Sequence, residues 1–185
     1  MRIVGGDLGG RRLATPRSDA IRPSSDRLRQ TLFDILAHAY DQVVRDARVL
    51  DLFAGTGALG LEAVSRGARH ALFVEDGVEA RGLIRANIET LGLTGKTRIF
   101  RRDATRLGEA GAIAPFDLAF ADPPYGRGLG EKALGAAVGG GWLVPGALVV
   151  LEERGDVVVA PIAGLAVLER REIGESQLLF MRAEG

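Results

Sequence analysis

The sequence predicts an α/β fold: a mostly parallel, twisted sheet with helices on both faces and an antiparallel hairpin at the C-terminus. Three observations predict it. From residue 48 onward, short apolar runs alternate with segments of helical periodicity. A glycine-rich stretch directly follows the first run. The alternation then breaks near the end, where two β-like runs follow one another. Near-continuous apolar strands separated by helices must be covered on both sides, which is the condition of a parallel sheet.

The elements follow in order. Arg2-Ile3-Val4, the glycine-rich Gly5 to Gly10 and Arg11-Arg12-Leu13 predict a small ribbon, and Pro16 to Pro23 a connector. Ser24-Ser25-Asp26 offers N-cap oxygens to a helix in which Leu28, Leu32, Ile35, Leu36 and Ala39 recur at helical spacing. That helix sets Arg27 and Arg29 near its first turn, available to a ligand. Val49 to Phe53 reads as a strand, Ala58 to Ser65 as a helix, His70 to Val74 as a strand and Val78 to Leu91 as a helix. Thr97 to Phe100, Phe116 to Ala121 and Ala147 to Leu151 are three further strands. Gly135 to Gly141, with Trp142 after it, reads as a loop or short helix. Leu165 to Glu172 and Ser176 to Arg182 make the terminal hairpin.

The chain has 185 residues, 46% hydrophobic and 26% charged, which fits one folded domain with a small appendage. It has no cysteine, so disulfides and thiolate chemistry are excluded, and two histidines give no basis for a zinc site. No signal peptide or membrane span is read, so a soluble cytoplasmic protein is expected. Formal net charge is zero, but residues 1–30 carry seven arginines against three aspartates, leaving +4 there and −4 on the rest. A basic front end on an acidic body suits a protein that holds phosphates at one edge and a cation in its middle.

Asp51 to Gly60 lies between the first strand and the first helix after it. Gly55, Gly57 and Gly60 satisfy the dinucleotide pattern G-x-G-x-x-G, and Glu75 falls where a ribose-binding acid would. Asp51 argues against a dinucleotide, because a carboxylate beside the loop would face the diphosphate at close range. S-adenosylmethionine has no phosphate; its sulfonium and ammonium favour an acidic wall. Glu75 can accept from ribose hydroxyls and Asp103 from the adenine amine. The candidate cofactor-binding residues are Asp51, Phe53, Ala54, Gly55, Thr56, Gly57, Glu75, Asp76, Asp103, Ala104 and Asp122. For Asp103 a helix N-cap is the equal alternative.

Asp122-Pro123-Pro124-Tyr125 ends the fourth strand, where two prolines cannot continue a sheet. An acid and a proline-held carbonyl can accept the two N–H protons of a planar amine, and the ring can stack on its face. Such hydrogen bonds pull an exocyclic nitrogen toward tetrahedral geometry and free its lone pair, so alignment and electrostatics do most of the work. A nucleobase must leave its stack to reach this pocket, and Tyr125 can replace that stacking.

With these residues assigned, the chain resembles the Rossmann-like class I methyltransferases. More specifically it resembles the bacterial 16S ribosomal RNA guanine-N2 methyltransferases of the RsmD type. The resemblance rests on Arg2 to Gly6, Gly10 to Leu13, Arg22-Pro23-Ser24, Asp26 to Leu36, Asp51 to Ala63, Glu75, Asn87 and Asp122 to Tyr125. It spans nearly the whole chain. Ser24, Gln30 and Asp34 depart mildly from the family's usual threonine, glutamate and asparagine.

The resemblance implies methyl transfer from S-adenosylmethionine, without a metal, to the N2 of one guanine in 16S ribosomal RNA. The RNA would be free or in an assembling small subunit. It implies Asp122, Pro123, Pro124 and Tyr125 as catalytic residues. Arg11, Arg12, Arg22, Arg27 and Arg29 become RNA contacts. Residues 1–23 then form an RNA-contacting ribbon and connector, and 24–185 the methyltransferase domain of a monomer. Asp-Pro-Pro-Tyr alone is shared with adenine-N6 methyltransferases of DNA or RNA, and an RNA-binding module of inactive methyltransferase fold is the reading from outside the enzymes.

Overall fold

A computed structural model describes all 185 residues. Residues 1–13 form a short ribbon joined by one antiparallel bridge between Arg2 and Arg12, with Ile3 N–H donating to the Arg11 carbonyl and Leu13 N–H to that of Met1. Helix α1 (Asp26–Ala39) starts where the Ser25 hydroxyl accepts the Leu28 N–H at 3.0 Å. Its buried stripe is Leu28, Arg29, Leu32, Phe33, Ile35 and Leu36.

The alternating part follows as β1 (Arg48–Leu52), α2 (Ala58–Ser65), β2 (His70–Val74), α3 (Val78–Leu91), β3 (Thr97–Phe100), β4 (Phe116–Ala121), α4 (Leu129–Gly139) and β5 (Leu143–Arg154). The hairpin is β6 (Leu165–Ile173) and β7 (Ser176–Ala183). The seven strands run in the order β3-β2-β1-β4-β5-β7-β6. Pairing is parallel from β3 to β5, and β7 is antiparallel to both β5 and β6. The expected sheet and hairpin are therefore present. No helix is long and apolar enough to cross a membrane.

Three boundaries differ from expectation. Phe53 lies beyond β1 with φ +56°, since the chain has already turned into the glycine loop. The segment before β5 is a full helix, α4, and Trp142 after it is wholly buried, its indole N–H donating to the Gly108 carbonyl at 2.9 Å. β5 also runs past its apolar core, through Glu152 and Glu153, because β7 pairs with it as far as Arg154↔Ser176.

The period of two along each strand divides the core. Val49, Ala71, Phe73, Leu118, Phe120, Leu148, Val150, Leu178 and Phe180 face α1, α2, α3 and the ribbon's Ile3 and Leu13. Leu50, Leu52, Leu72, Val74, Ala119, Ala121, Val149, Leu151, Leu179 and Met181 face α4, Leu107 and Trp142. The same alternation carries Asp51, Asp122 and Glu152 to the first face, at the carboxyl ends of neighbouring strands. Ala121↔Leu151 is the last pair of β4 with β5, so Asp122 and Glu152 stand next in register.

Candidate active site

The strand order reverses between β1 and β4, and the crevice beyond their carboxyl ends is where open α/β sheets bind ligands. The glycine loop forms one wall. Gly55 and Gly57 take φ of +59° and +81°. A Cβ on Gly60 would fall 2.4 Å from Phe73 Cε1 and 3.1 Å from Asp51 Oδ2, so no larger residue fits between them. Asp51 is 1% exposed and accepts the Gly60 N–H at 3.0 Å. Burial pushes its carboxyl up to about 8; the neighbouring Glu75 adds to this and the Gly60 hydrogen bond opposes it. A positive ligand would restore its charge.

Glu75 accepts the Gly55 N–H at 2.8 Å through one oxygen and the Gly77 N–H at 2.9 Å through the other. It therefore braces the loop, and each oxygen keeps a second lone pair for a ligand. Asp103 is an N-cap: its Oδ1 accepts the Thr105 hydroxyl at 2.7 Å and the Thr105 N–H at 2.9 Å, which lowers its pKa. Phe53, Glu75, Asp76, Asp103 and Ala104 line a crevice of about 260 Å³. Phe53 also lines an adjoining recess with Asp51, Ala54, Gly55, Thr56 and Asp122. Gly57 starts α2 from a left-handed conformation. All the expected cofactor residues but Gly57 thus line two cavities that share Phe53. Asn87 fixes this arrangement from α3, donating to the Thr56 carbonyl at 3.1 Å and accepting the Ala14 N–H at 2.7 Å.

Asp122 leaves β4 beside Asp51's strand, its side chain 12% exposed. Pro123 is buried and Pro124 exposed. The Tyr125 hydroxyl donates to Glu152 Oε1 at 2.6 Å and lies 3.0 Å from the Ser176 hydroxyl. Burial and the Glu152 hydrogen bond raise the Tyr125 pKa. Burial first, then the Glu152 charge, hold Asp122 well above the usual carboxylate range, with Arg22 opposing.

The expected RNA-contacting arginines divide. Arg11, Arg12 and Arg27 are exposed. Arg22 donates to Asp122 at 3.0 Å, approaches Glu152 to 3.7 Å and lies over the Tyr125 ring at 4.1 Å, so it packs against the Asp122–Tyr125 motif. Arg29 corrects the expectation. It is 0% exposed, paired with Glu62 at 3.1 Å and with Asp26, and donates to the Arg2 carbonyl at 2.6 Å. A residue so placed cannot reach RNA; it joins the ribbon to α2. The signal was available, since Arg29 lies three and four residues before Leu32 and Phe33, on the buried stripe.

Glu152, Glu153 and Ser176 were missed. Glu153 is 1% exposed and accepts the Gly126 N–H at 3.1 Å, fixing the turn after Tyr125. The rule that singled out Asp51, Glu75 and Asp103, an acid at a strand's carboxyl end, would have found Glu152 had it been applied to β5. A groove of about 340 Å³ beside Arg22, Ser25, Arg27, Glu175 and Ser176 opens onto Glu152.

The family model described as conserved hypothetical protein 95 matches residues 1–182. Ribosomal RNA small subunit methyltransferase D of Escherichia coli K12 is 42% identical over 156 residues, 83% of this chain and 75% of that one. The solved structure of yhhF from Escherichia coli is 34% identical with a TM-score of 0.83, covering 100% of this chain and 98% of that one. An RNA methyltransferase from Salinibacter ruber, solved in complex with S-adenosyl-L-homocysteine, is 12% identical and shares the fold, with a TM-score of 0.66 over 88% of this chain and 94% of that one. A family match over nearly the whole length, on a sheet that ends in an acid-lined glycine loop beside Asp-Pro-Pro-Tyr, means that the chain belongs to the RsmD family of class I methyltransferases.

Proposed function

We propose that the protein transfers a methyl group from S-adenosylmethionine to the exocyclic N2 of a guanine in 16S ribosomal RNA of the small subunit, in the cytoplasm. The family supports the RNA and the guanine. The observation that carries the chemistry is the placement of Asp51 and Asp122 on one face of adjacent strands, so that an acid-lined donor cavity and an amine-gripping motif share the recess between them.

The residues fit the donor. Asp51, a buried acid, suits a cationic ligand; Glu75 retains lone pairs for ribose hydroxyls; Phe53 and Ala104 give apolar walls for a purine, with Asp76 and Asp103 at the rim. When bound, the donor supplies a methyl carbon made electrophilic by its positive sulfur. Asp122 and the Pro123 carbonyl, which takes no backbone hydrogen bond, hold the amine and turn its lone pair toward that carbon. The new N–C bond forms as the carbon–sulfur electrons return to sulfur, and one N2 proton passes to Asp122 or to water. Arg11, Arg12 and Arg27 hold phosphates.

The test is to incubate small-subunit RNA, free and assembled into particles, with methyl-labelled donor and digest it to nucleosides. Label in N2-methylguanosine is expected. Label in N6-methyladenosine instead would overturn the proposal.

A further inference from the structure

We infer that Glu152 reads the N1–H of the target base and so selects guanine over adenine at this site, an inference that rests on the guanine-N2 reading above. Three observations carry it.

Glu152 is 4% exposed and stands in register beside Asp122, at the end of the neighbouring strand. Oε1 accepts from Tyr125 at 2.6 Å and lies 3.4 Å from the Ser176 hydroxyl, and the Asp122 carboxyl lies within hydrogen-bonding reach of Glu152. The acceptor site therefore has two carboxylates, while gripping one amine needs only Asp122 and a carbonyl.

The second observation is what occupies the site. The Arg22 guanidinium carbon lies 4.1 Å from the centre of the Tyr125 ring, with one nitrogen 3.0 Å from Asp122 and 3.7 Å from Glu152. A guanidinium is one carbon bearing three nitrogens in a plane, with N–H groups along its edge. The C2 of guanine, with N1, N2 and N3, is the same planar unit, carrying N1–H beside the N2 amine. Adenine presents a bare N1 lone pair beside its N6 amine. A site that seats a guanidine group on an aromatic ring against two acids matches the edge of guanine. It would set adenine's N1 lone pair against a carboxylate.

The third is access. The groove beside Arg22, Ser25, Arg27, Glu175 and Ser176 opens onto Glu152, so a base entering past the two arginines meets this carboxylate as Arg22 yields its place. Arg22 is 48% exposed and can swing out into solvent, leaving the Asp122 and Glu152 carboxyls to the donors of the incoming base.

The probe is 2-aminopurine, which keeps the 2-amine but has a lone pair at N1 where guanine has N1–H. The position labelled by the wild-type enzyme is mapped first, then occupied by guanine or by 2-aminopurine in synthetic small-subunit RNA reconstituted into particles. Wild type is expected to prefer guanine in kcat/KM by roughly 30-fold or more, since a buried acceptor facing an acceptor loses its hydrogen bond outright. Glu152→Gln, whose amide can donate to N1, should shrink that preference at least about tenfold. The other difference between the bases, O6, is common to both enzymes and cancels in the comparison. Glu152→Asp should keep the guanine preference at a reduced rate. Tyr125→Phe, which removes only the hydroxyl that Glu152 accepts, should leave the preference as in wild type.

An unchanged preference in Glu152→Gln, or an equal collapse in Tyr125→Phe, would overturn the inference and make Glu152 a support for Tyr125. A flat preference in Glu152→Asp would overturn it as well. Failure of the guanine reading itself would appear earlier, as wild-type label in adenosine.

Discussion

Replacing Glu62 by glutamine should cost more than any surface change of similar size. Glu62 lies on α2 and is 0% exposed. One oxygen accepts the Val4 N–H at 2.9 Å and Arg29 at 3.1 Å; the other accepts the Gly5 N–H at 2.9 Å and Arg66 at 2.8 Å. Glutamine keeps the shape but turns an NH₂ toward one of these donor pairs and leaves two arginines short of one charge. There is no reserve acceptor, because Arg29 Nε and Arg66 Nη2 already lack partners. Breaking a buried pair from one side costs about 3–5 kcal/mol. At about 2–4 °C per kcal/mol for a chain of this length, thermal unfolding should fall by roughly 6–20 °C. Calorimetry gives that shift, and amide exchange should show Val4 and Gly5 losing protection before the sheet does. Removing Arg29 in the glutamine background should cost less than in wild type, with a coupling of roughly 0.5–3 kcal/mol. A shift under about 2 °C with Val4 and Gly5 still protected would refute the reasoning.

Asp122→Ala removes the amine's acceptor; it should keep donor binding by calorimetry and lower kcat at least about 100-fold, and equal turnover would refute the role. Changing Arg11 and Arg12 together to alanine should weaken RNA binding and reduce the slope of log K against log salt by roughly 1 per lost phosphate contact; an unchanged slope would make both arginines mere solvated surface. Asp51 sets a pH dependence of stability. Its folded pKa of about 8 lies above the unfolded value near ~3.9, so between these the native state holds a proton that the unfolded chain has released. Stability of the free protein should therefore fall as pH rises from about 4 to 8, Asp122 acting in the same sense, and urea midpoints for Asp51→Asn should fall less steeply.

The sheet was legible because its strands are short apolar runs with glycines and helical patterns between them, and parallel burial leaves that imprint. The acids Asp51, Glu75 and Asp103 were legible for a related reason: each lies in a short apolar strand or within three residues of its end. Glu152 obeys the same rule, following Leu151 directly, but its burial appears only once β5 is seen to continue past Leu151 beside a partner strand. That partner, β7, comes from the far end of the chain. Arg29 and Glu62 were hidden from each other for the same reason. Each is a charge within a helix; the apolar stripe marks Arg29 as interior, but its pairing with Glu62 appears only when the two helices meet.

The clasp at Glu62 has a consequence for how the enzyme measures its substrate. Helix α2 begins at the donor loop and, five residues past Gly57, holds the ribbon that carries Arg11 and Arg12. Eight residues of helix span only about 12 Å, and a helix does not stretch. On the proposed reading, a phosphate grip at Arg11 and Arg12 and a methyl pocket at the glycine loop would be two marks on one rigid gauge rather than a hand and a tool joined by a tether. Two RNAs with the same target base, but with different spacing between that base and the gripped phosphates, would be told apart by length alone.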